Sequence, residues 1–262
     1  PERSTESVLG RGSYGKVLPA WDVVVEQLVA VKQQDKMTRA AERELFYFQS
    51  IPKDTNLLCM LDMFDHGTQL SLVFEYCILS LSDAFHRAAG LLDWSSVARH
   101  SHDILKGVAH IHKNGVAHRD LSLSNVLMKE NGTCVLADLG LAAPTQTHAL
   151  EMVVTTTWYR APEACFPNSS FPIQPTALDM WSSGALLAAL WTGTHVFMIR
   201  TENDSITSEC KILLHRIVKV LGAPNAHWSQ FANSPEWLAI ETHMSTLAAT
   251  EPFSDRLRCI QK

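Results

Sequence analysis

The chain has 262 residues, 46% of them hydrophobic and 19% charged, with a formal net charge of −5. That length suits one large domain or two lobes with separate cores, and the composition excludes a disordered chain. The acidic balance speaks against a nucleic-acid binder working through bulk charge, and no run reaches the ~18 apolar residues of a membrane span.

In chain order, "SVLGRGSYGKVLPAWD" (7–22) and "QLVAVKQQD" (27–35) predict strands, as β-branched runs broken by Gly and turn residues. Pro19 forbids a long helix there. "TRAAERELFYFQSI" (38–51) predicts a helix with a charged face. "LLCMLDMFDHGTQLSLVFEYC" (57–77) predicts two more strands around an Asp-His-Gly-Thr turn. After Tyr76 the pattern turns helical. "DWSSVARHSHDILKGVAHIHKNG" (93–115) is a helix with Asp93 or Ser95 at its N-cap and Gly115 closing it. "SNVLMKENGTCVLADLG" (124–140) is a hairpin turning at Asn131-Gly132. Residues 140–160 show no period and predict loop. "TALDMWSSGALLAALWTG" (176–193) and "SECKILLHRIVKVLG" (208–222) are apolar helices. The expectation is an α+β chain with a small β-rich lobe over 1–76, a hinge near 75–80 and a larger helical lobe over 77–262. Six cysteines form no CxxC pair, so free thiols and an intracellular setting, nucleus or cytoplasm, are expected.

Four short motifs carry chemistry. "GRGSYGKV" sets Gly10, Gly12 and Gly15 in a hairpin whose backbone N–H groups can approach phosphates without side-chain obstruction. A dinucleotide-binding fold needs a helix directly after such glycines, whereas Pro19 and a β-branched run follow here. "VAVK" ends a strand on Lys32, and either Glu42 or Glu44 of the next helix can pair with it, but not both, because they lie on different helix faces. "HRDLSLSN" supplies Asp120, suited to accept a hydroxyl proton, and Asn125, suited to bind Mg²⁺. "ADLG" supplies Asp138, a hard oxygen ligand for Mg²⁺. Further on, Glu163 reads as a buried carboxylate needing an Arg partner, and Asp179 as an acceptor of backbone N–H bonds from the "HRD" loop.

In this order and spacing the motifs resemble the protein kinase superfamily, over almost the whole chain. "VVTTTWYRAPE" and "HRIVKVLGAPNAHWSQFANSPEW" are similar to the cyclin-dependent and MAP kinase (CMGC) group. The resemblance implies a two-lobed serine/threonine protein kinase, using ATP and Mg²⁺ on Ser/Thr-Pro sites of protein substrates. A pseudokinase or slow kinase acting as a nucleotide-binding scaffold is the alternative. The resemblance selects Glu44 as the partner of Lys32. It places Val17, Ala30 and Leu127 around the adenine, Phe74 as gatekeeper, and Glu75 and Cys77 as hinge hydrogen-bonding residues. It further implies that Thr156 bonds Asp120, that Arg160 helps accept proline, that Arg256 partners Glu163, and that Ser13 and Tyr14 match sites of inhibitory phosphorylation.

The chain also departs from that pattern. Ser122 stands where most serine/threonine kinases carry a Lys that steadies the γ-phosphate. Glu151 falls at the position of an activating phospho-threonine, where its carboxylate can face Arg43 and Arg119 with about half a phosphate's charge. Ala143 replaces a third Arg of that pocket. "TRAAERE" keeps only part of the cyclin-facing signature, so a cyclin-like activator is an open expectation. The C-terminal end reads as shortened.

Overall fold

The computed structural model describes residues 8–12, 15–147, 156–166, 173–199, 206–222 and 237–238. Alternating, β-branched segments of the first third form one antiparallel sheet. Its strands are β1 (Gly10–Gly12), β2 (Gly15–Asp22), β3 (Gln27–Asp35), β4 (Met60–Asp65) and β5 (Gln69–Glu75), in the order β1-β2-β3-β5-β4. Pro19 is tolerated within β2 because β1 is already too short to pair with it: the β1 register ends at Gly10↔Val17. Gly15 is demanded by packing inside the sheet, since a Cβ there would lie 2.0 Å from the Gln33 carbonyl oxygen.

Helix α1 (Arg39–Ser50) crosses one face of this sheet. Thr38 caps it, its hydroxyl accepting the Ala41 N–H at 3.2 Å. Ala40, Ala41, Glu44, Tyr47 and Phe48 make its buried stripe at helical spacing. Cross-strand neighbours share a face of a sheet. The registers Val17↔Lys32, Pro19↔Ala30, Ala30↔Phe74, Lys32↔Leu72 and Gln34↔Leu70 therefore put Val17, Ala30, Lys32, Gln34 and Phe74 on one side. That side is the α1 side, because Phe74 meets Phe48 edge-on at 5.0 Å.

Past Glu75 come β6 (Leu79–Ser80), α2 (Leu81–Arg87), α3 (Trp94–Lys113), β7 (Val116–Ala117), β8 (Val126–Met128), β9 (Cys134–Leu136), β10 (Ala143–Pro144), α4 (Pro175–Thr192) and α5 (Ile206–Leu221). Asp93, not Ser95, is the α3 cap: its carboxylate accepts the Ser96 N–H at 3.0 Å and the Ser95 hydroxyl at 2.6 Å. Helix α2 has no counterpart in the sequence reading. Seven residues are too few for a helical period, and its signal is the capping box between Ser80 and Asp83. Part of the stretch expected to be loop, 140–160, is ordered by pairing: β10 joins β7 through Ala143↔Ala117 and Pro144↔Val116, and 157–159 form a 3-10 turn. Elements this short leave no periodic trace.

The sheet and the helical part are joined through the segment between α1 and β4. Leu58 N–H bonds the Leu136 carbonyl at 2.9 Å, Leu136 N–H bonds the Asn56 carbonyl at 2.9 Å, and the Asn56 amide bonds the Cys134 carbonyl at 2.9 Å. Gly107 of α3 allows that approach, since a Cβ there would sit 2.7 Å from the Asn56 carbonyl oxygen. Among the described residues no helix is long and apolar enough to cross a membrane.

Candidate active site

Lys32 reaches out of β3 between two carboxylates. Its ammonium lies 2.7 Å from Glu44 Oε1 and 3.4 Å from Asp138 Oδ1. Glu44 is only 2% exposed, while Glu42 faces solvent. Burial alone would lower the Lys32 pKa, but the charges of Glu44 and Asp138 outweigh it and the net shift is upward. Burial pushes Glu44 up, and Lys32 pulls it back. Gln34 has no counterpart among the sequence-derived candidates. It is buried on the same face as Lys32, where a polar side chain breaks the apolar pattern of the strand, and that break is its sequence signal.

The "HRD" loop is held from below by Asp179 of α4, which is 0% exposed. Its carboxylate accepts three hydrogen bonds of 2.7 Å, from the His118 N–H, the Arg119 N–H and His112 Nε2. His118 donates from Nε2 to the Ala137 carbonyl at 2.9 Å and accepts the Asp120 N–H at Nδ1, 3.2 Å away. Those partners place a ring proton on Nε2. Neither histidine was given a role from sequence, since nothing local marks them as partners of Asp179 and Ala137. Arg119 (φ 68°) and Asp138 (φ 63°) both adopt the left-handed region, at about 1–3 kcal/mol each for non-glycine residues. Such strain persists only where surrounding bonds over-determine it, as Asp179 does for Arg119.

Asp120 and Asn125 form one unit. The Asn125 side-chain amide donates to the Asp120 carbonyl at 2.7 Å and to Asp120 Oδ2 at 2.9 Å. Thr156 reaches Asp120 Oδ1 through its main-chain N–H at 3.3 Å. Burial raises the Asp120 pKa, and these bonds offset part of the shift, while the nearby charge of Asp138 adds to it.

The donor set suits a hard divalent cation. The Asn125 amide nitrogen is committed to Asp120, which leaves its oxygen directed away. Ala137 N–H bonds the Asn125 carbonyl at 2.9 Å, which ties Asn125 to the residue before Asp138. Asp138 Oδ1 accepts the Gly140 N–H at 3.2 Å, leaving Oδ2. Two protein oxygens completed by phosphates are the usual Mg²⁺ arrangement. Among the described residues no cluster of three or more His, Cys, Asp or Glu forms an all-protein metal cage.

Val17 and Ala30 on the sheet and Leu127 on β8 are all half-buried, and Phe74 is buried behind them. Glu75 is fixed by its side chain, which accepts the Cys59 N–H at 2.9 Å and pairs with Lys129 at 3.0 Å. Burial pushes the Cys77 thiol up to about 12, so it is protonated at neutral pH. A Cβ on Gly10 would meet nothing within 4 Å, which leaves its backbone approachable. Arg43 Nη1 bonds the Gly140 carbonyl at 3.4 Å, and Arg43 and Arg119 both act on Tyr47 electrostatically. Their expected partner Glu151 lies outside the described residues, as do Ser13, Tyr14 and Arg256. Burial raises the Glu163 pKa. Leu139 is fully buried. Ser122 is 1% exposed, and its hydroxyl has no hydrogen-bond partner among the described residues.

A family model described as the protein kinase domain matches residues 3–250. The chain is also 32% identical over 244 residues to cyclin-dependent kinase 20 of Danio rerio, an alignment that covers 88% of this chain and 68% of that protein.

Proposed function

Because the chain belongs to the protein kinase superfamily, within its CMGC group, we propose that it transfers the γ-phosphoryl group of Mg²⁺-ATP to Ser or Thr hydroxyls of proteins, with Ser/Thr-Pro sites preferred. The observation that carries this reading is the Lys32 ammonium set between Glu44 and Asp138, at 2.7 and 3.4 Å. Glu44 orients that ammonium toward the place where the ATP phosphates would lie. Asp120 orients the acceptor hydroxyl and takes its proton. Asn125 fixes the Asp120 carboxylate and, with Asp138, offers oxygen to Mg²⁺. Bound there, Mg²⁺ supplies positive charge against the phosphates. Five free cysteines among the described residues support a reducing, intracellular setting. A cyclin-like activator belongs to the same proposal, and α1 presents Phe46 to solvent beside its buried face.

The test is purified chain with labelled ATP, Mg²⁺ and paired Ser-Pro and Ser-Ala peptides. Transfer favouring Ser-Pro is expected. ATP-induced thermal stabilisation without transfer to any peptide would replace this reading with the scaffold one, for which Ser122 is the supporting feature.

Two further outcomes follow from the site. Asp120 must be ionised to accept a proton, and its folded pKa stands above 3.8. As pH falls through that raised value the base is protonated and kcat/KM declines, so the acid limb of the pH profile is expected above 3.8. A limb at or below that value would separate the essential group from Asp120. Among the described residues the Ser122 hydroxyl has no hydrogen-bond partner, so Ser122→Ala should keep kcat within about threefold. It should not lower stability, because a buried unpaired hydroxyl costs about 1–3 kcal/mol. Ser122→Lys should raise kcat, within the ~10²–10³ range of a single electrostatic contact to developing charge. Steady-state kinetics on both variants checks this, and a large loss in Ser122→Ala would assign the hydroxyl a role.

A further inference from the structure

The turn between β2 and β3 has an unusual composition. It reads Asp22-Val23-Val24-Val25-Glu26, with three β-branched residues where turns ordinarily carry Gly, Pro, Asn, Asp or Ser. Val23, Val24 and Val25 are 79, 87 and 58% exposed, so none of them serves the core. At the base of the turn Trp21 stands opposite Leu28 on one face of the sheet, and both are exposed. The turn is nonetheless fixed. Asp22 Oδ1 accepts the Val24 N–H at 2.9 Å and the Val25 N–H at 3.2 Å, and Glu26 stands in the left-handed region (φ 52°). The five apolar side chains make a patch on the order of a few hundred Å², the scale of the largest patch on a monomer, which is often functional. A local rule broken with no gain to the fold points to function.

Charge says what covers the patch. Asp22 and Glu26 flank the valines, and between positions 15 and 35 the basic residues are Lys16 and Lys32. Each stands six positions along a strand from the nearer of those two carboxylates. At the ~3.3 Å rise of a strand that is about 20 Å, beyond the ~8 Å screening length at physiological salt. Lys129, reached through Glu75 opposite Val29, is already paired with that carboxylate at 3.0 Å. The patch is therefore apolar with an acidic rim. A second copy of the tip brings like charge against like, and so does an anionic membrane surface.

We propose that this tip is a docking site for a basic amphipathic segment of another protein. The apolar face of that segment covers Trp21, Leu28 and the three valines, while its Lys or Arg residues meet Asp22 and Glu26. Buried aromatic and aliphatic anchors carry most of the binding free energy, whereas rim charges act on association rate and salt dependence. Valines are stiff at χ1 and the turn is already fixed, so little freedom is lost on binding. Asp22 and Glu26 thus select the partner, and Trp21 and the valines hold it. Docking there recruits a protein without touching the groups assigned to phosphoryl transfer, and that clause alone rests on the reaction proposed above.

The test reads binding, so a failed transfer reaction leaves it standing. Three labelled peptides are titrated with the chain by fluorescence anisotropy: an amphipathic helix of Leu and Lys, its counterpart of Leu and Glu, and a Lys peptide with Ser in place of Leu. The Leu–Lys peptide should bind, and the other two should bind at least about tenfold more weakly. Val24→Asp should weaken the Leu–Lys peptide by about tenfold or more, although it adds an attractive charge. A peptide held by charge alone would bind this variant more tightly, so unchanged or tighter binding overturns the proposal. Asp22→Asn combined with Glu26→Gln keeps the turn's side-chain acceptor. It should leave binding measurable and flatten its dependence on salt. Both variants should melt within about 2 °C of the unmutated chain, because exposed substitutions are near neutral. Equal binding of the Leu–Glu peptide would also overturn the proposal. So would Val24-dependent binding to phosphatidylcholine or phosphatidylserine vesicles, in favour of a membrane, or a Val24-dependent dimer in sedimentation, in favour of a second copy.

Discussion

Lys32→Met should reduce phosphoryl transfer by about 10³-fold or more, the upper range for losing one preorganised charge contact. It should also destabilise the fold, because Glu44 stays behind at 2% exposure with Asp138 as its charged neighbour. Removing one partner of a buried ion pair costs about 3–5 kcal/mol. The pH dependence separates this cause from a general packing defect. Lys32 has a raised pKa, so its own contribution is fully present below 10.5 and constant through neutral pH. In the variant, burial acts on Glu44 without Lys32 to offset it, so its folded pKa lies further above its ordinary 4.5. A carboxyl with a raised folded pKa loses stability as pH rises through that value. The deficit of Lys32→Met should therefore be small in acid and grow toward neutral pH in urea titrations. Lys32→Met combined with Glu44→Met should recover most of the stability and none of the transfer. A single variant with wild-type-like turnover would remove Lys32 from the reaction.

What could be read from sequence was whatever is encoded locally. The Gly-rich hairpin, "VAVK", "HRD…N" and "ADLG" are short motifs, and each occupies one turn or strand end, so spacing alone located them. Period arguments separated Glu42 from Glu44, and the chain family selected Glu44, because a helix can aim only one of the two at β3. The reading of the glycines was incomplete in its physics: Gly15 is required by the Gln33 carbonyl, within the sheet, whatever binds outside it. Contacts formed by distant, non-periodic residues left no trace in the sequence. His112 and Asp179 are 67 positions apart and Arg160 and Cys210 are 50 apart, so only the packing of α3 on α4 and of α5 on the segment before it brings them together. The buried state of Ser122 was equally hidden. Its identity signalled a missing charge, but not that its hydroxyl is buried with no hydrogen-bond partner among the described residues.

Asp179→Ala is the second large effect, and it acts without touching the reacting groups. The substitution strands three donors at once: His118 N–H, Arg119 N–H and His112 Nε2. Each buried donor left unpaired costs about 1–3 kcal/mol, so a loss of about 4 kcal/mol is expected once local relaxation is allowed. At roughly 2–4 °C per kcal/mol for a chain of this size, the melting transition should fall by about 10 °C. Asp179→Asn should fall between the two. Its one oxygen can serve His118 and His112, leaving its NH₂ against one donor, or Arg119, leaving it against two. The catalytic cost follows from Arg119, whose φ of 68° is held by the bond to Asp179 Oδ1. Released, Arg119 relaxes toward the favoured backbone regions, and Asp120, one peptide further on, moves with it. A misplacement near 1 Å costs about 10²-fold, and it should be seen in kcat. The ATP KM should hold, because Lys32, Ala30 and Phe74 are anchored in the sheet. Measured well below the transition of the variant, where the chain is folded, the kcat deficit should persist. Full kcat recovery there would mean that Asp179 serves stability alone.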